Sequence, residues 1–215
     1  MKIFLRTIFT FLLIISALIC FAYFFWYRPK FKATVSSHKN TIKKESKEFI
    51  RLEERSVSLK QFAITHKYNS SIAFLIDMSL ASGKNRFFVY DMDKDSLLLQ
   101  GLVAHGSCDN GFQVDPTFSN TINSGCSALG KYKIGNSYKG SFGLAYKLYG
   151  LDSSNSHAFQ RNIVLHSYDC VPEQETNPVP ICNSRGCPMV SIGFLNQLRP
   201  IINRSEKPIL LWIFE

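Results

Sequence analysis

The sequence predicts a mainly β domain with a few short helices, preceded by one N-terminal transmembrane helix. Short apolar or alternating runs recur between turns rich in Gly, Asn and Asp, while helical periodicity is confined to a few segments. An uncharged apolar run near the start of the chain indicates the membrane helix. Of the 215 residues, about 170 remain after that run, which is a normal size for one domain with a sizeable core.

The uncharged run covers residues 8–27, which are twenty in a row. As a helix, this length spans the ~30 Å hydrocarbon core of a bilayer. Tyr23, Trp26 and Tyr27 cluster at its far end, as interfacial aromatic residues do, whereas a signal peptide has a shorter apolar region that ends in small residues. We therefore predict a retained membrane anchor over residues 1–30, with a cleaved signal sequence as the alternative.

A polar, charge-rich segment follows over residues 31–58, and we predict a helical linker there, with a helix docked on the domain as the alternative. The domain itself is predicted over residues 59–215. The formal net charge of +9 suits a partner such as nucleic acid, an anionic membrane or an acidic polymer. No basic helix or aromatic–basic motif supports nucleic acid, so we predict no nucleic-acid partner.

The elements of the domain follow from its apolar pattern. An acidic Met-Asp-Lys-Asp turn separates two strands of a predicted hairpin, and the last strand is an apolar run near the end of the chain. We predict strands over residues 72–77, 87–91, 96–105, 130–134, 144–149, 161–166 and 208–214, and helices over 57–69, 153–160 and 191–203.

The candidate active site lies between residues 163 and 189. A β-branched apolar run ends at His166, and after a loop rich in Pro, Glu and Asn the chain returns in a Ser-Arg-Gly-Cys turn that ends at Cys187. An imidazole within hydrogen-bond reach of a cysteine can take its proton, and backbone N–H groups at Gly186 and Cys187 can receive an oxyanion. On residue types alone, a disulfide cysteine beside a loop histidine is the alternative.

This spacing resembles the active-site signature of the L,D-transpeptidase (YkuD) family of bacterial cell-wall enzymes. In that family a His-Gly or His-Ser pair precedes Ser-His-Gly-Cys, and here His-Ser at 166–167 and Ser-Arg-Gly-Cys at 184–187 occupy those places. The Ser-x-Gly-Cys-Pro pattern is similar to the divergent branch called murein L,D-transpeptidase catalytic domain, over roughly residues 71–200. Arg185 stands where the family commonly has a second histidine, and Pro188 replaces the arginine that usually follows the cysteine.

The resemblance implies a compact mixed β-sandwich or barrel-like sheet, and a cysteine acyltransferase that uses no cofactor or metal. Cys187 is expected to attack the peptidoglycan stem tetrapeptide, with His166 as the base, the Ser167 carbonyl orienting the imidazole, and Gly186 in the turn that receives the oxyanion. The acyl group then passes to an amine, which is L,D-transpeptidation, or to water, which is L,D-carboxypeptidation. The sequence does not choose between the two acceptors.

Five further residues are predicted to contact the substrate. Arg185 is expected to pair with a substrate carboxylate and to favour the ionised thiol, with a structural ion pair to an acid such as Asp169 as the alternative. For His105, a turn histidine without a role in the site is the alternative. The other predicted contacts are Ser184, Tyr149 and Asn155.

Four cysteines remain once Cys20 is assigned to the anchor and Cys187 to the nucleophile. In an oxidising periplasm, which the implied substrate and the even number indicate, they can pair in three ways. We favour the two pairs that each bracket one loop, Cys108–Cys126 and Cys170–Cys182.

Zinc is the alternative use of the same residues. His166, Cys170, Cys182 and Cys187 are four candidate ligands, but they lack the close cysteine spacing of structural zinc sites.

Two other functions remain open on the sequence. The chain can be a membrane-anchored binding module that kept the fold without turnover, because the second family histidine and the following arginine are missing. It can also be a thiol peptidase or amidase on another peptide, since fold does not fix chemistry. The predicted location is the bacterial inner membrane, single-pass, with the catalytic domain in the periplasm. The sequence carries no signal for an oligomeric state.

Overall fold

The computed structural model describes residues 2–27 and 49–215. The chain forms two compact units, Met1–Arg51 and Leu52–Glu215, which are described separately. Most of the predicted linker lies outside the described residues.

The described part of the first unit begins with helix α1, Lys2–Ala22, and continues as a π-helical turn over Tyr23–Tyr27. Within the described ranges, no helix is both long and apolar enough to cross a membrane. The anchor over residues 1–30 therefore stays a prediction.

Helix α2 covers residues 49–66 in the described part of the chain. Leu52, Leu59 and Ala63 are spaced seven and four residues apart, so they share one face, and all three are buried. They pack against apolar side chains of the sheet, among them Ala73, Leu75, Phe88, Tyr90 and Leu210. Where the predicted linker enters the second unit it is thus a helix docked on the domain, which was the alternative interpretation.

One mixed sheet of nine strands forms the body of the second unit, in the order β3-β2-β1-β9-β5-β6-β7-β8-β4. Strand β1 is parallel to β9 and β7 is parallel to β8, while the other neighbours are antiparallel. The strands are β1 Ile72–Asp77, β2 Phe87–Asp91, β3 Ser96–Gly101, β4 Val103–Ala104, β5 Gly130–Gly140, β6 Gly143–Gly150, β7 Val164–Ser167, β8 Met189–Val190 and β9 Leu210–Phe214.

The sheet curls into a nearly closed barrel. Its two edge strands, β3 and β4, are separated in the chain by Leu102 alone, so the opposite edges of the sheet must come close together. This corrects the single strand predicted over residues 96–105: its first part pairs with β2 as the predicted hairpin, and its second part pairs with β8. The predicted class, mainly β with few helices and a barrel-like sheet, is confirmed.

Both faces of the sheet are covered, which explains the unbroken apolar run of β1. Phe74 and Ile76 point into the main core, while Ala73 and Leu75 point under α2. Helix α3, Ile192–Arg204, fills the main core with buried side chains that include Phe194, Leu195 and Leu198. It begins at Ser191, whose side chain accepts a hydrogen bond from the Phe194 N–H at 3.1 Å, as a helix N-cap does.

Candidate active site

Strands β7 and β8 bring His166 and Cys187 to the same place. They run parallel with His166 opposite Met189, and Cys187 lies two residues before Met189 in the chain. Parallel neighbours need a long connection, which accounts for the intervening loop. Both side chains line a cleft of about 320 Å³, and both also line a second cleft of about 180 Å³. The two predicted reacting groups therefore share one location, where two clefts meet.

The imidazole of His166 is held in one tautomer. Its Nδ1 lies 3.0 Å from the carbonyl oxygen of Ser167, and because a carbonyl can only accept, Nδ1 carries the proton and donates it. The Phe142 ring stacks on the imidazole with 5.2 Å between centroids. Burial lowers the pKa of His166, and the hydrogen bond to Ser167 opposes this in part. At neutral pH, Nε2 is therefore unprotonated and able to accept a proton.

The thiol of Cys187 is free and partly exposed. Its Sγ donates to the carbonyl oxygen of Asn162 at 3.8 Å. Burial raises the pKa of the Cys187 thiol, while a backbone hydrogen bond at Val164 and the charge of Arg161 act in the opposite direction. The resting form is therefore the neutral thiol, which needs a base before it can act as a nucleophile.

The turn before Cys187 is fixed by glycine geometry. Gly186 has φ of +103°, and a Cβ there would lie 2.5 Å from the carbonyl oxygen of Cys126. The Ser184 hydroxyl accepts from the Gly186 N–H at 3.1 Å and donates to the Cys187 carbonyl at 2.6 Å, which closes the turn. Because Ser184 engages the Gly186 N–H, an oxyanion in this state would meet the N–H of Cys187 itself.

Arg161 is a charged residue of this site that sequence reasoning did not find. Its guanidinium donates to the Ser119 carbonyl at 2.8 Å, to the Ser124 hydroxyl at 3.2 Å and to the Cys126 carbonyl. The same Nη2 would lie 3.2 Å from a Cβ on Gly186, so the guanidinium borders the cysteine turn. The arginine that is missing after the family cysteine was the signal that a positive charge must come from elsewhere.

Phe142 was also missed, and no sequence signal could have found it. It lies at the tip of the β5–β6 hairpin and lines both clefts. Its place over His166 depends on the length and curvature of that hairpin.

Both favoured disulfides are present, Cys108–Cys126 and Cys170–Cys182. The first bond holds the segment whose carbonyl meets Gly186. The second lies inside the connection between β7 and β8 and ties that loop together. Since it uses two of the four candidate zinc ligands, the alternative zinc site is not formed.

Two of the predicted substrate contacts line the larger cleft. The side chain of Arg185 is 84% exposed and lies at the rim, and Ser184 lies in the wall. Arg185 Nη2 is 3.4 Å from Asp109 Oδ1, so its acidic neighbour is Asp109 and not the Asp169 named as the alternative. An exposed ion pair of this kind contributes little free energy, so the guanidinium can exchange Asp109 for a substrate carboxylate.

His105 is not brought to either cleft. It is completely buried, and Arg86 Nη2 donates to its Nδ1 at 2.9 Å while the Asn183 amide lies 3.1 Å from its Nε2. Burial, together with the nearby Arg86 charge, lowers the pKa of His105 to about 4. Its backbone carbonyl accepts from the Ser184 N–H at 2.8 Å, so His105 supports the cysteine turn from the core.

Tyr149 and Asn155 also lie away from both clefts. The Asn155 side chain is buried, donates to the Lys131 carbonyl at 2.8 Å and accepts from the Asp152 N–H at 2.9 Å, so it braces a turn. Tyr149 lies on the outer face of β6, where its ring stacks on Phe159.

The family of the chain follows from comparison with known proteins. The sequence profile of the L,D-transpeptidase catalytic domain matches residues 43–214. No curated protein matches the chain.

Three solved structures share the fold at low identity. A point mutant of the helical cell shape determining protein Pgp2 from Campylobacter jejuni is 14% identical, with a TM-score of 0.44 and coverage of 67% of this chain and 47% of that one. The Ldtfm–avibactam carbamoyl enzyme is 12% identical, with a TM-score of 0.42 and coverage of 67% and 49%. L,D-transpeptidase LdtMt1 in complex with imipenem is 10% identical, with a TM-score of 0.39 and coverage of 67% and 59%.

This chain therefore spans about half the length of the solved structures that it matches. The profile match covers most of the chain, including both clefts and the turn between them. On that match, the chain belongs to the L,D-transpeptidase catalytic domain family.

Proposed function

We propose that the protein is a cysteine-dependent acyltransferase that acts on the stem peptides of peptidoglycan, with Cys187 as the nucleophile and His166 as the base. One observation carries the proposal: in a member of the L,D-transpeptidase family, a free thiol and an imidazole of fixed tautomer line the same cleft. In the unit Leu52–Glu215 the other four cysteines are bonded in pairs, which leaves Cys187 as its free thiol.

The first half-reaction forms a thioester. The Cys187 thiol turns from the Asn162 carbonyl to His166 Nε2, which takes its proton, and the sulfur attacks the carbonyl of the third stem residue. The imidazolium keeps its Nδ1–H bond to the Ser167 carbonyl, which stabilises the positive charge. When the tetrahedral intermediate collapses, the C–N bond breaks and the terminal D-alanine leaves with the proton from Nε2.

The second half-reaction releases the enzyme. An amine from another stem peptide attacks the thioester, His166 takes the amine proton, and the C–S bond breaks to leave a thiolate that recovers this proton. Two clefts that meet at Cys187 favour an amine acceptor over water, because the donor and the acceptor can approach from different sides. We assign the donor to the larger cleft, where Arg185 can pair with its carboxylate.

Arg161 is proposed to act as a positioning residue for the nucleophile. Its charge favours the thiolate, and its hydrogen bond to the Cys126 carbonyl holds the surface on which Gly186 rests. In this way it replaces the arginine that the family usually has after the cysteine. Arginine suits this role because its planar guanidinium can bond several acceptors at once and stays charged.

Product analysis tests the reaction. The full-length protein is incubated with purified tetrapeptide muropeptides, and the products are separated by chromatography. We expect crosslinked dimers and free D-alanine, both absent with Cys187→Ala. Tripeptide without dimers would change the assignment to L,D-carboxypeptidase, and unchanged tetrapeptide would contradict the enzyme.

The nucleophile is tested separately by covalent labelling. A carbapenem should add its mass to the wild-type protein and leave Cys187→Ala unmodified, as measured by intact mass spectrometry. Labelling of the Cys187→Ala protein would contradict the assignment of the nucleophile.

The location is proposed as the periplasmic side of the bacterial inner membrane, with residues 1–30 as the anchor. The two disulfides support an oxidising compartment, because disulfides are rare in the bacterial cytosol. Protease treatment of spheroplasts should digest the domain. Protection until the membrane is lysed would contradict this location.

A further inference from the structure

The outer face of the β5–β6 hairpin carries a row of lysines and aromatic rings that the proposed chemistry does not use. We name it the lysine–aromatic strip, and its members are Lys133, Tyr138, Lys147, Tyr149 and Phe159. Strand alternation creates it, because on β5 and β6 the neighbouring positions point inward and are buried.

The five side chains touch in sequence along the strip. Lys133 Nζ lies 4.4 Å from the centre of the Tyr149 ring, which stacks on Phe159 at 5.3 Å and 11°. Lys147 Nζ lies 4.9 Å from the Phe159 ring and 5.6 Å from the Tyr138 ring. From Lys133 to Tyr138 the strip extends ~17 Å along β5. It is therefore an ordered surface and not a set of separate side chains.

The strip offers both apolar faces and uncompensated charge. Phe159 is 52% exposed and Tyr138 is 39% exposed, whereas most large apolar side chains of this unit are buried. Within the described residues, neither Lys133 nor Lys147 lies within 4 Å of a carboxylate. Lys131, two residues before Lys133, shows the contrast because it pairs with Asp152 at 3.0 Å. Such a surface suits an anionic ligand with flat apolar faces.

The strip runs directly into the smaller cleft at the nucleophile. Tyr138 belongs both to the strip and to the wall of that cleft, which also contains Asn162, His166 and Cys187. A polymer held on the strip would therefore present its side branches to the thiol. A ligand that must reach Cys187 while attached to a chain needs this continuity.

From this arrangement we propose that the lysine–aromatic strip binds the glycan strand of peptidoglycan and guides its stem peptide into the smaller cleft as the acceptor. The rings stack on the C–H faces of the sugars, and the two lysines pair with stem-peptide carboxylates. This rests on the proposed function, which it extends from the reacting peptide to the polymer that carries it. An anionic membrane is the competing partner for the same charges.

Binding to purified sacculi tests the proposal with the full-length protein. The Lys133→Gln/Lys147→Gln double variant removes the charge, and Lys94→Gln/Lys207→Gln is the matched control, because it makes the same change in net charge at exposed positions outside the strip. We expect the strip variant to bind sacculi about tenfold more weakly in co-sedimentation. The control should bind like the wild type, and carbapenem labelling of Cys187 should proceed at the wild-type rate in both variants.

Three outcomes overturn the inference: wild-type sacculus binding by the strip variant, equal losses in the control, or a strip variant that loses binding to phosphatidylglycerol vesicles while it keeps sacculus binding. Its failure is distinguishable from failure of the proposed function. If the isolated tetrapeptide is turned over but sacculus binding does not depend on the strip, only the inference fails. If binding depends on the strip but no peptide is turned over, the polymer surface stands and the acyl transfer fails.

Discussion

The Gly186→Ala substitution should disable the nucleophile through a backbone clash. A Cβ at Gly186 would lie 2.5 Å from the Cys126 carbonyl oxygen, and ordinary contact begins at 3.4 Å, so 3.4 − 2.5 = 0.9 Å of movement is required. Cys126 cannot retreat freely, because it is bonded to Cys108 and its carbonyl is held by Arg161. The movement must therefore fall on the turn, and Cys187 moves with it.

The size of the effect follows from this displacement. A misplacement of ~1 Å in a catalytic group costs ~10²-fold in rate. The φ of +103° adds strain on the order of 1–3 kcal/mol for a residue with a side chain. For Gly186→Ala we expect carbapenem labelling of Cys187 to slow about 100-fold and the Tm to fall by roughly 2–10 °C.

Gly111→Ala separates strain from displacement. Gly111 also has a positive φ, +75°, but nothing lies within 4 Å of its Cβ position. This variant should lose stability through strain and keep the wild-type labelling rate. Labelling of Gly186→Ala at the wild-type rate would refute the reasoning, because it would show that the turn tolerates the displacement.

Three further predictions concern the charges around the site. His166→Gln should lower the rate of D-alanine release by about 10²- to 10⁴-fold while the Tm stays near that of the wild type, because the base is lost; a loss below tenfold in the product assay would contradict its role. Arg161→Gln should move the pH profile of Cys187 alkylation by iodoacetamide towards higher pH, and Arg161→Lys should restore part of the shift, since the guanidinium lowers the pKa of the thiol; identical profiles would remove the charge argument. Urea unfolding should lose about 3 kcal/mol between pH 7 and pH 4, because His105 has a pKa of about 4 when folded and 6.5 when unfolded, so the unfolded chain takes the proton first as the pH falls. His105→Gln should flatten this part of the pH dependence, and an unchanged slope would assign it to other groups.

Much of the strand pattern was readable from the sequence because it is local. The strands predicted over residues 72–77 and 87–91 have those bounds in the structure, and the acidic turn does join two antiparallel strands. Strand β7 begins at Val164, three residues later than predicted, because Asn162 adopts a positive φ of 54° that ends the preceding turn.

The division of the run over residues 96–105 could not be read in the same way. Its apolar pattern is continuous, but β3 pairs with a strand close by in sequence, and β4 pairs with β8 far along the chain. Alternation of side chains states which faces are buried, and it does not state which strand lies alongside.

The candidate site divides along the same line. His166, Cys187 and the turn between Ser184 and Cys187 were identified from spacing, because the spacing reflects a fixed piece of backbone. The burial of His105 and the position of Arg161 depend on neighbours that are distant in the chain, such as Arg86 and Cys126.

By itself, the sequence determined the family, the mainly β class, the pairing of four cysteines and the two residues proposed to react. The tertiary structure decided how the barrel closes, which arginine stands beside the thiol and which predicted contacts face a cleft. The first group is encoded in local patterns and short spacings. The second depends on the curvature of a nine-stranded sheet, in which contacts form between segments that no local pattern links.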